Sequence, residues 1–455
     1  MGTTLHARIL DNYTKSDVTS FFGDGSMETN FNYASKTPYP ARKEAMSCQP
    51  IPEGYNPIFT QLLARHGSRG LSSNKYDELT LQIWQQARKE KVLTKLGELL
   101  AADIQALTKA TLEVGYGNLS QLGKQEQEAL GERLVTRQAQ LFSLAQTKNQ
   151  RIEIVTSGKA RAEVSADYFM RGMLAISPTL HTLFNPLYQD SKQLYFHKID
   201  ENSAYQNYIH HDPALLKTLD KIKNQPQSHK IAHAVLERLY TKSFVERLAK
   251  NSYSFQSRET RKVRSPNAID AAIALYNLYC IIPAMQKEGV WHFERYIHDS
   301  EALWFAYLKD ARDFYRKGPG FKNQTITYQI AKTLQDDFFT QVDEVISGNS
   351  NKVAKLRFAH AETVIPWVVL MQIPGYCQAV EPEEIYSYAN NPWRGEFVSP
   401  FTANIQWDVY KNDKNHLIIR QLYNEKQIAF KTDCHPIAPG SLYYDYQTLL
   451  TCYRK

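Results

Sequence analysis

The sequence predicts an α/β fold with a helical insertion. Three observations carry that prediction. Apolar runs at 58–64, 151–156 and 355–359 read as buried strands, and each is followed by a turn and a helix-periodic segment. Each run also delivers Arg or His just past its end: Arg65 and His66, then Arg161, then His360. Between the second and third runs, from about 180 to 350, strand signals fade and long helical patterns dominate. In open α/β sheets, the crevice at the carboxyl ends of the strands is where ligands bind.

A chain of 455 residues is too long for one simple core, and it suits two domains or one domain with a large insertion. The expected division is an N-terminal extension over 1–50, a core from 51–180 and 351–455, and a cap over 181–350. The formal charge of +7 is modest, and no Lys/Arg block of nucleic-acid type stands out. The surplus reads as mild attraction for an anionic small molecule, with no nucleic-acid partner. No run reaches the roughly 18 apolar residues of a membrane span. The longest, 269–285, contains Asp270, Asn277 and Pro283 and reads as a buried helix. The first residues carry no apolar stretch of signal-peptide type, so no signal is visible. Five cysteines show no CxxC and no metal-ligand spacing. Cys434 and Cys452 are near enough in sequence to pair, a point the sequence leaves open.

Residues 1–50 are polar, with scattered Gly, Ser, Thr and Pro, and read as an extension on the surface or partly ordered. The strand at 58–64 leads into Arg65-His66-Gly67-Ser68-Arg69 and a Gly/Ser/Asn-rich loop. Two guanidiniums that close repel unless an anion lies between them, and phosphate matches the planar fork of donors. A histidine inside such a cluster can attack phosphorus. Residues 75–111 read as helical. Gly117-Asn118-Leu119-Ser120-Gln121-Leu122-Gly123 follows, then a helix to about 145 with Ser120 as its N-cap. After the strand at 151–156, Ser157-Gly158-Lys159-Ala160-Arg161 forms a second anion-binding corner, with Arg161 on a first helical turn.

Within the insertion, the basic cluster at 258–264 reads first as a solvated helix face. Arg258, Arg261 and Lys262 are second-choice contacts for substrate phosphates. The aromatic-rich helix at 307–317 ends in Gly318-Pro319-Gly320, natural terminators, and Lys317 is placed to reach an anionic ligand. The third strand delivers His360-Ala361-Glu362 to the start of an apolar helix at 363–371. The segments 406–410 and 416–425 read as a hairpin ending the sheet.

Arg65-His66-Gly67-Ser68-Arg69 resembles the RHGxRxP signature of the histidine acid phosphatases, a branch of the phosphoglycerate mutase-like superfamily; Leu71 stands where that pattern has proline. The 117–123 segment resembles their G-x-L-T-x-x-G, and Arg161 resembles their third phosphate-binding arginine. His360-Ala361-Glu362 resembles the "HAE" of the multiple inositol polyphosphate phosphatase branch, where other members carry "HD". The helix ending at Gly320, the Ser399–Asn404 stretch and the 420–425 end resemble the same branch. The resemblance runs from 58 to about 425.

It implies a phosphoglycerate mutase-like, three-layer α/β core with a helical cap. It also implies phosphate binding by Arg65, Arg69, Arg161 and His360, attack by His66 to give a phosphohistidine, and proton donation by Glu362. No metal or other cofactor is implied. The expected substrates are phytate and lower inositol phosphates, and a secreted or periplasmic location is favoured. The alternatives are a broad acid phosphatase on sugar phosphates or 2,3-bisphosphoglycerate, and a non-catalytic inositol-phosphate binding protein. The presence of both His66 and Glu362 argues against the last.

Overall fold

The computed structural model describes residues 32–40 and 48–453. Its strands are β1 (Tyr55–Arg65), β2 (Arg151–Thr156), β3 (Tyr188–Gln189), β4 (Phe255–Gln256), β5 (Val263–Arg264), β6 (Lys352–Ala359), β7 (Asn404–Asn412), β8 (Leu417–Tyr423), β9 (Lys426–Ile428) and β10 (Tyr443–Asp445). Helices of eight residues or more are α1 (Lys75–Lys89), α2 (Lys95–Val114), α3 (Gln121–Arg137), α4 (Ala139–Thr147), α5 (Ala160–Ile176), α6 (Ser203–His211) and α7 (Pro213–Lys223). They continue as α8 (Pro226–Glu237), α9 (Lys242–Ala249), α10 (Ala268–Tyr279), α11 (Asp299–Lys317), α12 (Lys332–Ile346), α13 (Ala361–Leu370) and α14 (Tyr446–Tyr453).

One eight-stranded sheet runs β10-β8-β7-β1-β6-β2-β3, with β9 beside β8. β1, β6, β2 and β3 are parallel neighbours, whereas β7 pairs antiparallel with β1 and continues into the β7–β8 hairpin. The register sets Arg65 opposite Ala359 and Thr156 opposite Phe358, so β1, β2 and β6 end side by side. The turns that follow them therefore meet at one edge.

β1 is buried continuously from Phe59 to Arg65 because helices cover both faces of the sheet. Its alternation sorts the two cores. Phe59 and Leu63 join Phe338, Trp367 and Trp407 under α12, α13 and α14. Leu62 and Ala64 join Leu134, Phe142 and Phe169 under α3, α4 and α5. Helix, sheet and helix are the three layers expected.

A third apolar cluster lies among the cap helices and includes Val235, Phe244, Leu275, Phe305 and Phe314. Leu79, Ile83, Trp84 and Ile104 share it, so α1 and α2 pack with the cap helices although they precede β2. α12 packs against the sheet although it precedes β6. α10 opens with a capping box between Asn267 and Asp270 and is buried along nine of its residues in that cluster, as its apolar run suggests.

Several local expectations change. The helical stretch at 75–111 is two helices, broken where Lys91 takes a left-handed backbone (φ 57°) and Thr94 caps α2. The helix expected to reach 145 breaks at Gln138. The basic cluster at 258–264 lies on a β4–β5 hairpin, not a helix, and Arg261 turns it with φ 58°. Within the N-terminal extension, 32–40 is not a loose surface strap: Asn32, Ala34, Ser35 and Tyr39 are buried. Cys434 and Cys452 form a disulfide.

Candidate active site

His66 leaves β1 and is locked to both neighbouring strands' ends. Its N–H donates to Ala359 O at 2.9 Å, and its carbonyl accepts from Thr402 N at 3.1 Å. The imidazole is 2% exposed. Its Nδ1 lies 2.9 Å from Gly67 O. A carbonyl only accepts, so Nδ1 carries the proton and Nε2 keeps its lone pair. Burial, then repulsion from Arg65, Arg69, His360 and Arg161, holds the imidazole well below its usual value. His66 is therefore a neutral ring with an open nucleophilic nitrogen.

The loop behind it is held by backbone contact. A Cβ on Gly67 would lie 2.3 Å from Gly123 O, and one on Gly123 would lie 2.1 Å from Ser68 O. Glycine at both places lets the first turn of α3 press on the loop. Ser120 caps α3 by accepting from Gly123 N and also donates to Ser68 O at 3.1 Å. Gly117 N donates to Leu71 O at 2.8 Å. These bonds hold the turn at Leu71, where the resembled pattern has proline. The buried Glu126 carboxylate accepts from Ser68 N, Ser68 Oγ, Tyr39 N and Thr402 Oγ1 and ties the loop to both flanking segments.

Four groups surround the His66 ring. Arg65 donates from one terminal nitrogen to Ser35 O at 2.6 Å and to Ser399 O, and its guanidinium lies over Phe401 at 4.5 Å. Arg69 donates to Gly70 O at 2.9 Å. Arg161 is the second residue of α5. His360 is fully buried at the N-terminus of α13, with Nε2 2.7 Å from Ser157 Oγ, and its ring centroid is 5.4 Å from that of His66. Among the described residues, the Nε atoms of all three arginines and Nδ1 of His360 are buried without a hydrogen-bond partner.

Buried polar atoms without partners are costly, and these four belong to side chains gathered around one point. Burial lowers Arg65 to about 10; it also lowers Arg69 to about 9, where Arg161 and Arg65 add repulsion. An anion placed among them relieves both costs.

Glu362 stands on the first turn of α13 with its side chain 33% exposed. Lys317, the last residue of α11, is 2.8 Å from its Oε1 and 3.0 Å from Asp313 Oδ1. Burial would raise the Glu362 carboxyl, but Lys317, His197 and His360 outweigh it and hold it well below the usual range. Lys317, expected to reach an anionic ligand, is placed as the partner of Glu362 and Asp313.

Arg258, Arg261 and Lys262 sit elsewhere. Their hairpin packs on α1, where Arg258 N donates to Glu78 and Arg258 lines a cavity of about 220 Å³ with Asn74 and Tyr116. Among the described residues, none of the three has a hydrogen bond or ion pair to the strand-end cluster.

The sequence reading missed three site residues. Lys36 places its ammonium 5.4 Å from the Phe401 ring, and burial with Arg69, Lys309 and Arg65 nearby lowers it strongly. Tyr195 packs edge-on to His360 at 5.1 Å and to His197 at 4.3 Å, and Lys159 lies over it at 4.6 Å. His197 is 7% exposed, has a buried, unpartnered Nδ1 among the described residues, and is lowered by burial to about 4 despite the attraction of Glu362. No motif marks these residues, because they come from segments distant in sequence.

The family model "Histidine phosphatase superfamily (branch 2)" matches residues 58–424. Multiple inositol polyphosphate phosphatase 1 of Homo sapiens is 23% identical over 330 residues, which is 68% of this chain; the chain spans 61% of the human protein's length. The crystal structure of Bifidobacterium longum multiple inositol polyphosphate phosphatase in complex with inositol hexasulfate superposes with a TM-score of 0.89. It is 32% identical, and the match covers 93% of this chain and 97% of that one. The phytase from D. castellii shares the fold, with a TM-score of 0.64 at 16% identity, covering 93% of this chain and 84% of that one.

Proposed function

Because this chain belongs to branch 2 of the histidine phosphatase superfamily, we propose that it hydrolyses inositol polyphosphates, phytate among them, through a phosphohistidine on His66. The observation that carries this reading is the open Nε2 of a neutral His66 ringed by buried, unpartnered arginine N–H groups. The inositol-polyphosphate class is supported by the likeness to the bifidobacterial phosphatase, which was solved with a hexasulfated inositol.

The steps follow from the site. Arg65, Arg69, Arg161 and His360 take the phosphate oxygens, each charge-assisted hydrogen bond contributing about 1.5–3 kcal/mol. His66 Nε2 attacks phosphorus in line, and the P–O bond to the inositol breaks with its electron pair going to oxygen. Glu362, once protonated, gives that oxygen its proton. The resulting carboxylate takes a proton from water as the water attacks phosphorus, and the P–N bond breaks to restore His66. Guanidinium charge does the neutralising work in this scheme, so no metal is called for.

Phosphate release from phytate, with and without EDTA, tests the reading. Turnover is expected in both. Phytate itself binds metals, so p-nitrophenyl phosphate is the control. Acid-labile phosphate label should be trapped on the wild type and be absent from His66→Ala, which folds normally and does not turn over. A His66→Ala protein retaining more than a few per cent of activity would overturn the covalent route.

A further inference from the structure

The resting site poses a problem for its own chemistry. Glu362 must be protonated to assist the leaving alkoxide, yet it is paired at 2.8 Å with a lysine. We propose that Lys317 is a substrate-operated latch on Glu362: it keeps the proton donor anionic until a phosphate beside the one being cleaved draws the ammonium away. This deepens the proposed phosphatase reading and rests on it.

The geometry supplies both positions of the latch. One ammonium is shared by two carboxylates, Asp313 Oδ1 at 3.0 Å and Glu362 Oε1 at 2.8 Å. Asp313 is one turn back on the same helix, so it tethers Lys317 whichever partner the ammonium has. It is itself anchored by Ser35 Oγ at 3.4 Å. The lysine side chain is 18% exposed and closes α11 just before Gly318, at the edge of the site. Lysine suits exchange between partners: it is a point charge on a flexible four-carbon stem, without the rigid fork of arginine.

The scissile phosphate is already matched by Arg65, Arg69, Arg161 and His360. A monophosphate therefore leaves the latch closed. A second phosphate on the neighbouring ring carbon adds negative charge beside the first and offers Lys317 a new oxyanion.

The groups facing Glu362 settle the direction of the effect. From α11 come Lys317 and Asp313; from the 195–198 segment, His197; from α6, Tyr205; from the end of β1 and its loop, Arg65 and Arg69; from its own helix start, His360. Lys317 is foremost among those holding the carboxyl low, while burial and Asp313 push the other way. When substrate phosphate occupies Lys317 and the arginines, its negative charge replaces the ammonium beside Glu362, and the carboxyl takes a proton from solvent. That proton passes to the alkoxide oxygen as the P–O bond breaks. Lys317 touches Glu362 rather than the reacting atoms in this step, and is a positioning residue for it.

The test is kcat against pH for three substrates: an inositol monophosphate, a bisphosphate with neighbouring phosphates, and one with phosphates on opposite ring carbons. kcat reports groups in the bound complex. In the wild type, the basic limb for the neighbouring bisphosphate should lie about one pH unit or more above the monophosphate's, about tenfold in turnover on the falling limb. The opposite bisphosphate should follow the monophosphate. In Lys317→Met the limbs should coincide at the higher pH. Monophosphate turnover at neutral pH should then rise severalfold, while KM for the neighbouring bisphosphate rises. Lys317→Arg, which keeps a cation there, should return the monophosphate's limb to the lower pH. A merely structural ion pair predicts equal losses on all substrates and an unmoved profile. Coincident limbs in the wild type would overturn the latch even if the variants fail to fold. Absence of turnover on every substrate would overturn the phosphatase reading, and the latch with it.

Discussion

At mildly acidic pH a free histidine is protonated, whereas His66 is held neutral; Glu362 is held anionic well into the range where a free glutamate would take a proton. The histidine is kept neutral by burial and by arginines around it, which leaves Nε2 nucleophilic. The glutamate is kept anionic by Lys317, the form the proposed mechanism needs to activate water in its second half-reaction. Its role as acid in the first half-reaction can be separated from a structural one. An inositol alkoxide is a poor leaving group and needs a proton, whereas p-nitrophenolate needs little help. Glu362→Gln should therefore cut kcat on phytate far more than on p-nitrophenyl phosphate, and general acid catalysis typically contributes about 10²–10⁴-fold. A ratio of losses near one would sink the assignment. Arg65, His66, Arg69, Arg161, His360 and Glu362 were all legible in the sequence, because each sits at a fixed short offset from a strand end. Lys36, Tyr195 and His197 were not, because only packing brings their segments to those strand ends.

Among the elements, α11 links the cap to the site. Its Asp310 side chain accepts from Tyr388 Oη at 2.8 Å and from Gly395 N at 3.0 Å, while Asp313 receives Ser35 Oγ. A Cβ on Gly395 would lie 2.4 Å from Asp310 Oδ1, so only glycine lets these segments close. Burial lifts Asp310 to about 7, the hydrogen bonds to it notwithstanding, and Glu396 beside it is raised by burial and by Asp310. Between about 4 and about 7 the folded chain holds a proton that the unfolded chain has released, so stability falls as pH rises through that window. Asp310→Asn, measured by denaturant melts from acidic to neutral pH, should flatten that decline by a few kcal/mol. An unchanged slope would mean the carboxyl is not protonated in the fold. The aromatic-rich run and its terminal glycines located the end of α11; nothing in the linear pattern marked Asp310 or Asp313 as buried.

For the molecule as a whole, the three largest apolar clusters among the described residues carry most of the stability: two flank the sheet and one lies among the insertion helices. The Cys434–Cys452 bridge closes an 18-residue separation and fastens α14 beneath the sheet. Loop-closure entropy makes such a bridge worth about 3 kcal/mol. Replacing both cysteines with serine should lower unfolding stability by up to about that amount and leave kcat on p-nitrophenyl phosphate unchanged at moderate temperature. A change in kcat without a change in stability would mean that α14 reaches the site. The pairing itself was open in the sequence, since spacing along a chain does not determine which Cβ atoms converge.

The sequence by itself determined the main strands β1, β2, β6, β7 and β8, that helices follow the first three, and which side chains leave their ends; the short β3, β4, β5, β9 and β10 gave no signal. Those features follow from short-range physics: apolar periodicity, turn residues and the fixed geometry of a strand entering a helix. Tertiary structure alone decided the rest. It set the order that lays β1, β6 and β2 side by side, and it carried α1 and α2 into the cap. It brought 32–40 under Arg65 and put Lys317 on Glu362 rather than in solvent. Each of these depends on contacts between segments tens to hundreds of residues apart. Their energy comes from burial and charge pairing in three dimensions, for which linear spacing carries no signal.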